Sequence, residues 1–399
     1  MGFRYRCTEC GREYPLKPGL YLCPVCSRHQ EPHKPLRGIL EVVPPDRALQ
    51  AFRRSRNPLA LLPVPPRYFP PVPMPFSRLW APTPLRQYLG TPHLFLKDDT
   101  GNPTGSLKDR ASVLVAAFAR QHGLQEVVVA STGNAGSSMA GIGAASGLRV
   151  TLFIPASAPP AKLVQALQYG ARVIPVQGSY DTAYDLSLAY SQRTHALSRN
   201  TAYNPLTIEG KKTVALELGL QMAPPPAHVF VPTGDAVILA GVYRGFQDLI
   251  RAGMLQGMPR VYAVQAQGSN ALARALRQGD FGTPQKARTL ADSIAVEIPR
   301  NGYYALRLLN LYQGTVVEVT DQEILEAQHL LASKAGLFAE PAAAAALAGF
   351  LQVRSRIPTG DPVVLLITGN GLKDIDAARQ GVPPLPHPVQ TLEEVLSEG

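Results

Sequence analysis

"NPTGSLKDRAS", residues 102–112, wedges one lysine, Lys108, between a Gly-Ser turn and an Asp-Arg pair. Before it, "HLFLKDD" (93–99) reads as a strand, and from Ser106 "SLKDRASVLVAAFARQHG" reads as a helix. The lysine therefore stands where a strand hands over to a helix. A lysine at a helix entrance is ordinarily a solvated charge, and a nucleophile is the alternative. The flanking chain bears on which it is.

Outward from this point, strand and helix signals alternate. "EVVVAS" (126–131), "RVTLFIP" (149–155) and "ARVIPVQ" (171–177) are strands separated by the helices "NAGSSMAGIGAASG" and "PAKLVQALQYG", with "AYDLSLAYSQRT" a helix after them. A second series starts at "TVALELGLQM" (213–222). It runs through the strands "AHVFVPTG", "RVYAVQA" and "PVVLLITGNG", with helices at "GVYRGFQDLIRAG", "TDQEILEAQHLLASKAG" and "PAAAAALAGFLQV". Short apolar strands between helices imply parallel sheets covered on both faces, and two series imply two α/β domains with a site between them.

Ligands in such sheets sit beyond the carboxyl ends of strands. Four strand-to-helix junctions carry suitable chemistry. The first holds Lys108. The second, "ASTGNAGSS" (130–138), offers Ser131, Thr132, Gly133 and Asn134 at a helix start, where amides and hydroxyls suit a carboxylate. The third, "VPTGDAVILAG" (231–241), offers the amides of Gly234, Asp235, Ala236 and Val237 to a phosphate. The fourth, "LLITGNGLKD" (365–374), ends a strand on Thr368. A TGN triplet alone is more often a plain turn. An amine, two anion cradles and a lone hydroxyl together match what pyridoxal phosphate requires.

All four cysteines fall in the first 26 residues, as Cys7-x-x-Cys10 and Cys23-x-x-Cys26. Two such knuckles supply four thiolates for a structural, tetrahedral zinc. A disulfide pair is the alternative and needs an oxidising compartment. From Pro44 to Pro84 the chain is dense in proline, with "LLPVPPRYFPPVPMP" at its centre, and reads as an extended linker wrapping a neighbouring surface. The formal net charge of +10 favours anionic ligands, but the basic residues are dispersed, which disfavours nucleic acid. No apolar run is long enough to span a bilayer and "MGFRYRCTEC" has no signal-peptide core, so a cytoplasmic protein is expected.

"NPTGSLKDR" resembles the cofactor-lysine motif of the fold type II pyridoxal-phosphate enzymes, the tryptophan synthase β-subunit-like superfamily. Within it the chain most resembles the threonine synthase family, through "ASTGNAGSS", "NPLTIEGKKT" (204–213) and "TGNGLKD" (368–374), in matching order from about residue 78 to 375. Some relatives also carry an N-terminal zinc ribbon. The resemblance implies two open parallel-sheet domains: a large cofactor domain over 85–107 and 206–399 and a small mobile one over 108–205. A zinc ribbon over 1–43 and the linker over 44–84 precede them.

It further implies that Lys108 is the catalytic amine that bonds the cofactor, that Asn134 meets the ring's 3-hydroxyl, and that Gly234, Asp235, Ala236 and Val237 hold the cofactor phosphate. Thr368 would meet the pyridine nitrogen. Ser131, Thr132, Asn134 and Ala135 would hold the substrate carboxylate, with Thr207 and Lys211 towards its anionic end. Asp109 and Arg110 read as a structural ion pair or helix-entrance charges, and Glu340 as a helix-start charge, although its family counterpart lines the cofactor side. The implied activity converts O-phospho-L-homoserine and water to L-threonine and phosphate by β,γ-elimination, in a homodimer.

Two departures stand out. Thr207 occupies a position where the family commonly has a phosphate-binding arginine, and the loop "TGDAVILAG" is poorer in glycine than usual. Thr207 favours the alternatives of a cysteate synthase acting on phosphoserine or a threonine/serine dehydratase. A catalytically inactive zinc-ribbon binding protein is a further alternative, against which the intact Lys108 argues.

Overall fold

A computed structural model describes residues 2–72, 76–384 and 388–397. Near the N-terminus β1 (Arg4–Cys7), β2 (Glu13–Pro15) and β3 (Leu40–Val43) form a small antiparallel sheet in the order β2-β1-β3. The larger sheet contains β4 (Arg78–Trp80), β5 (Leu94–Asp98), β10 (His228–Pro232), β11 (Arg260–Ala266), β12 (Thr315–Val319) and β13 (Val363–Ile367). The smaller one contains β6 (Glu126–Ala130), β7 (Arg149–Pro155), β8 (Arg172–Val176) and β9 (Leu197–Ser198).

The larger sheet runs β12-β11-β10-β13-β5-β4, parallel except for the edge strand β4. The smaller sheet runs β8-β7-β6-β9, all parallel. Central strands read as unbroken apolar runs because helices cover both faces: every residue of β13, "VVLLI", is buried. The alanine-rich helix Pro341–Val353 packs on β10, β11 and β13; ten of its residues are buried, and only small side chains allow a helix to sit so deep.

The proline-rich segment is not simply extended. A helix at Asp46–Ser55 buries Ala48, Leu49 and Phe52, 3-10 turns follow at Pro58–Leu61 and Pro66–Tyr68, and a second helix spans Thr83–Leu89. The proline density of the whole stretch hid a proline-free run between Pro45 and Pro58, long enough for three helical turns. Residues 73–75 of this stretch lie outside the described residues. The N-terminal sheet is no loose appendage either. Tyr5, Cys23 and Val42 share one apolar cluster with Val113, Phe118 and Val129, and the Tyr21 hydroxyl accepts the Ser198 amide at 2.8 Å. Among the described residues no helix is long and apolar enough to cross a membrane.

Candidate active site

Three segments far apart in sequence are stitched together at the carboxyl ends of β5 and β13. The Leu107 amide donates to the Thr368 carbonyl (2.9 Å), Asn370 to the Gly105 carbonyl (3.0 Å) and Glu340 to the Gly369 carbonyl (2.9 Å). Lys108 thus opens the helix Lys108–Gln121 from a braced loop. Asp109 braces it from within, its carboxylate accepting the Thr104 amide at 2.7 Å and the Thr104 hydroxyl at 2.5 Å. Gly105, at φ +83°, turns the chain where an L side chain would be strained.

Asp109 and Arg110 do not pair with each other, and of the two expected readings the helix-entrance one holds, with Asp109 in the first turn. Arg110 turns away to Asp99, with Nε–Oδ2 2.6 Å and Nη2–Oδ1 2.8 Å, and to Glu217, with Nη1–Oε1 2.5 Å. Adjacent residues on a helix point about 100° apart, so Asp109 and Arg110 find different neighbours.

Lys108 opens onto a cavity of about 430 Å³ between the two larger sheets. Its walls carry Ser131, Thr132, Asn134 and Ala135 on one side, and Gly234, Asp235, Ala236 and Val237 on the other, with Lys211. Burial pushes the Lys108 amine below its ordinary value, against the attraction of Glu340 and with the help of Arg199. A larger fraction of free amine at neutral pH follows, which is the nucleophilic and basic form.

The Asn134 amide donates to both Glu340 oxygens (3.0 and 2.8 Å) and to the Ser293 hydroxyl (3.0 Å). Burial raises the Glu340 carboxyl, while Asn134 and the Lys108 charge pull the other way. Glu340, which a helix-start reading from sequence treated as peripheral, is therefore built into the site. Its "FAEP" context is indistinguishable from an ordinary helix entrance, and the bonds from Asn134 favour the cofactor side that the family resemblance implies.

Both anion cradles sit at helix starts. The first amides of the helices Asn134–Ser146 and Val237–Arg251 have no intrahelical acceptor. Ala236 caps the second helix at φ +61°, a left-handed conformation, and is held by Asn301, whose side-chain amide donates to the Ala236 carbonyl at 3.0 Å.

Two expected residues fall elsewhere. Thr207 is fully buried, its hydroxyl donates to the Asn204 carbonyl at 2.7 Å, and it does not line the cavity. That hydroxyl is spent on closing the turn into the helix Leu206–Lys211, which corrects its expected role at the substrate. Thr368 is also buried off the cavity wall, one hydrogen bond from the Lys108 loop. Arg199 escaped notice in the sequence, where no motif marks it. It is fully buried, donates to Thr201 Oγ1 at 2.9 Å and leaves Nη2 without a partner; burial pulls it down to about 10, still a cation at neutral pH.

The sequence model of pyridoxal-phosphate dependent enzymes matches residues 76–369. The chain belongs to that family. Among curated relatives, threonine synthase of Methanocaldococcus jannaschii is 36% identical over 302 residues, covering 74% of this chain and 74% of that protein. Threonine synthase of Methanosarcina acetivorans is 30% identical over 388 residues, covering 93% of this chain and 92% of that protein. Among solved structures, threonine deaminase of T.th. superposes with a TM-score of 0.64 at 25% identity, over 82% of this chain and 98% of that one. Maize serine racemase gives a TM-score of 0.66 at 22% identity, over 74% of this chain and 88% of that one.

The cavity fits the family's cofactor: it has the volume for one, an amine of lowered basicity for the aldehyde, and an open helix start for the phosphate. The four cysteines fit zinc. Their sulfurs lie within 4.8 Å of one another, with Cys7–Cys26 at 3.7 Å and Cys10–Cys23 at 3.8 Å. Sulfurs each about 2.3 Å from a tetrahedral zinc stand about 3.8 Å apart, whereas a disulfide needs about 2.05 Å. The Cys26 amide and the Tyr14 hydroxyl point at the Cys23 sulfur, at 3.5 and 3.1 Å, as donors to a thiolate.

Proposed function

We propose that this pyridoxal-phosphate enzyme is a lyase that converts O-phospho-L-homoserine and water to L-threonine and phosphate. The observation that carries the reading is the match to curated threonine synthases, one of which covers 93% of the chain. When bound, the cofactor supplies an electron sink for the carbanions formed as protons leave the substrate's α- and β-carbons.

The protein's residues supply the rest. Lys108, its amine partly neutral through burial, takes the α-proton and returns it at the end of the cycle. The loop residues Ser131 and Thr132 and the first-turn amides of Asn134 and Ala135 hold the substrate carboxylate, which fixes the α-carbon relative to Lys108. Asn134, itself oriented by Glu340 and Ser293, also faces the cofactor's ring hydroxyl. Gly234 to Val237 receive the cofactor phosphate, and Thr368, off the cavity wall, acts through its carbonyl, which holds the Lys108 loop. The reading includes a small domain over 108–205 that closes with substrate, and a cytoplasmic homodimer.

The decisive assay mixes the cofactor-loaded protein with O-phospho-L-homoserine and follows phosphate and threonine. Both should appear in equal amounts. A second reading, dehydration of a hydroxy amino acid, is favoured by the Thr207 hydroxyl being committed to Asn204. It predicts a 2-oxo acid and ammonia from threonine or serine, with no phosphate release from the phosphorylated substrate.

A further inference from the structure

The loop that opens the helix Val237–Arg251 contains an anomaly. Asp235 brings a carboxylate onto the cavity wall at the place where a dianionic phosphate is to bind. One Asp235 oxygen accepts the Arg300 amide at 3.2 Å, and the Arg300 guanidinium is itself paired with Asp181. A helix start is worth roughly half a positive charge, and an ionised Asp235 works against it.

Lys211 supplies what is missing. It is 1% exposed, lines the same cavity, and among the described residues has neither a hydrogen-bond acceptor nor a carboxylate paired with it. Its backbone rides on the same helix: a Cβ placed on Gly241 would meet the Lys211 Cβ at 2.9 Å and its carbonyl carbon at 3.1 Å. Lys211 therefore stands beside the first turns of the helix whose start forms the cradle. An unpaired buried ammonium is costly unless an anion arrives to meet it.

We propose that Lys211 is a cofactor-phosphate residue, whose ammonium meets the phosphate beside the helix start and offsets Asp235 there. Asp235 and Lys211 then work as one device: a charged pair held apart in the free protein, with the phosphate seated against the cation. The inference rests on the family and not on any particular amino-acid substrate. Burial acts on both groups in the same sense before a ligand binds, raising Asp235 and pulling Lys211 well down, so the dianion relieves the strain on the lysine.

The test titrates apo-protein with pyridoxal phosphate and, separately, with pyridoxal, which keeps the ring and aldehyde and lacks the phosphate. Lys211→Gln should weaken pyridoxal phosphate roughly 10- to 100-fold, the loss expected for one charge-assisted hydrogen bond, and leave pyridoxal within twofold. Adding Asp235→Asn to Lys211→Gln should recover most of the loss, since the uncompensated carboxylate is then gone. Should Lys211→Gln fail to fold, Asp235→Asn alone must tighten pyridoxal phosphate and leave pyridoxal unchanged. The proposal is overturned if Lys211→Gln weakens both ligands equally, or leaves both unchanged and raises only the KM for substrate. It is also overturned if Asp235→Asn alone has no effect on pyridoxal phosphate. None of these outcomes depends on which substrate the enzyme turns over.

Discussion

Two pairs of near-neighbours in the chain separate sharply in space. Lys108 and Arg110 lie two residues apart on one helix, and Lys211 and Lys212 are adjacent. Arg110 is enclosed by Asp99, Glu217 and Ser77, and Glu217 also takes Lys97 at 2.5 Å. Lys212 is equally well matched, to Asp248 (2.7 Å), to the Leu61 carbonyl (2.9 Å) and to Glu209. Lys108 and Lys211 point the other way, into the cavity, with no carboxylate in contact among the described residues. Buried cations are tolerated when paired, so an unpaired one marks a place that an external anion or an electrophile is meant to complete.

The contrast can be broken from the functional side first. Lys108→Ala should cut turnover by about 10³-fold or more and abolish the visible absorption of the bound cofactor, while the unfolding midpoint barely moves. Borohydride reduction followed by peptide mapping should place the cofactor on Lys108 in the wild type. A label found on Lys211 would reverse the two roles.

Next comes the paired side. Glu217→Gln leaves Lys97 and Arg110 short of a counter-charge and should cost about 3–5 kcal/mol in urea unfolding, with turnover per folded molecule preserved. Lost activity at unchanged stability would move this network into the site.

A smaller effect concerns pH. Burial depresses both Lys108 and Lys211 in the folded state, whereas the unfolded chain keeps both protonated up to about pH 10.4. Between those limits the unfolded state binds more protons, so the apo-protein's stability rises with pH towards the ordinary lysine range. In Lys108→Met/Lys211→Met the slope should flatten relative to wild type when urea midpoints are compared across that range. Equal slopes in the two proteins would mean that the cations are solvated. The smallest expected change is Ala236→Gly. Relief of the left-handed alanine outweighs the added chain entropy of glycine, for a gain of up to about 1 kcal/mol. A loss would show that Asn301 already fully supports the loop.

Legibility followed the range of the interactions. The strands around Lys108 were readable because a buried parallel strand is largely apolar, as "VVLLI" is throughout and "HVFVP" is after its histidine. The site loops were readable because helix starts and glycine turns are local chemistry. The helix Asp46–Ser55 was not, since proline on either side dominates any average over the segment. Thr207 was misread because a buried hydroxyl that closes its own turn looks, in sequence, like one offered to a ligand. Glu340 was left between a helix-start charge and a place on the cofactor side, and Arg199 was missed, because their partners lie 206 and 87 residues away, at Asn134 and Ser112.

By itself the sequence determined most of the strands and helices that carry the site, that four cysteines are spaced to hold one zinc, and that Lys108 opens a helix beside two anion cradles. These follow from periodicity, spacing and turn chemistry, all of which act over a few residues. Only the tertiary structure decided which buried cation is neutralised and which is left open, because that depends on carboxylates delivered from the residue after β5 and from the helices Leu206–Lys211, Thr213–Gln221 and Val237–Arg251. Charge pairing is a matter of a few ångströms, and nothing in the order of residues states which groups will come that close.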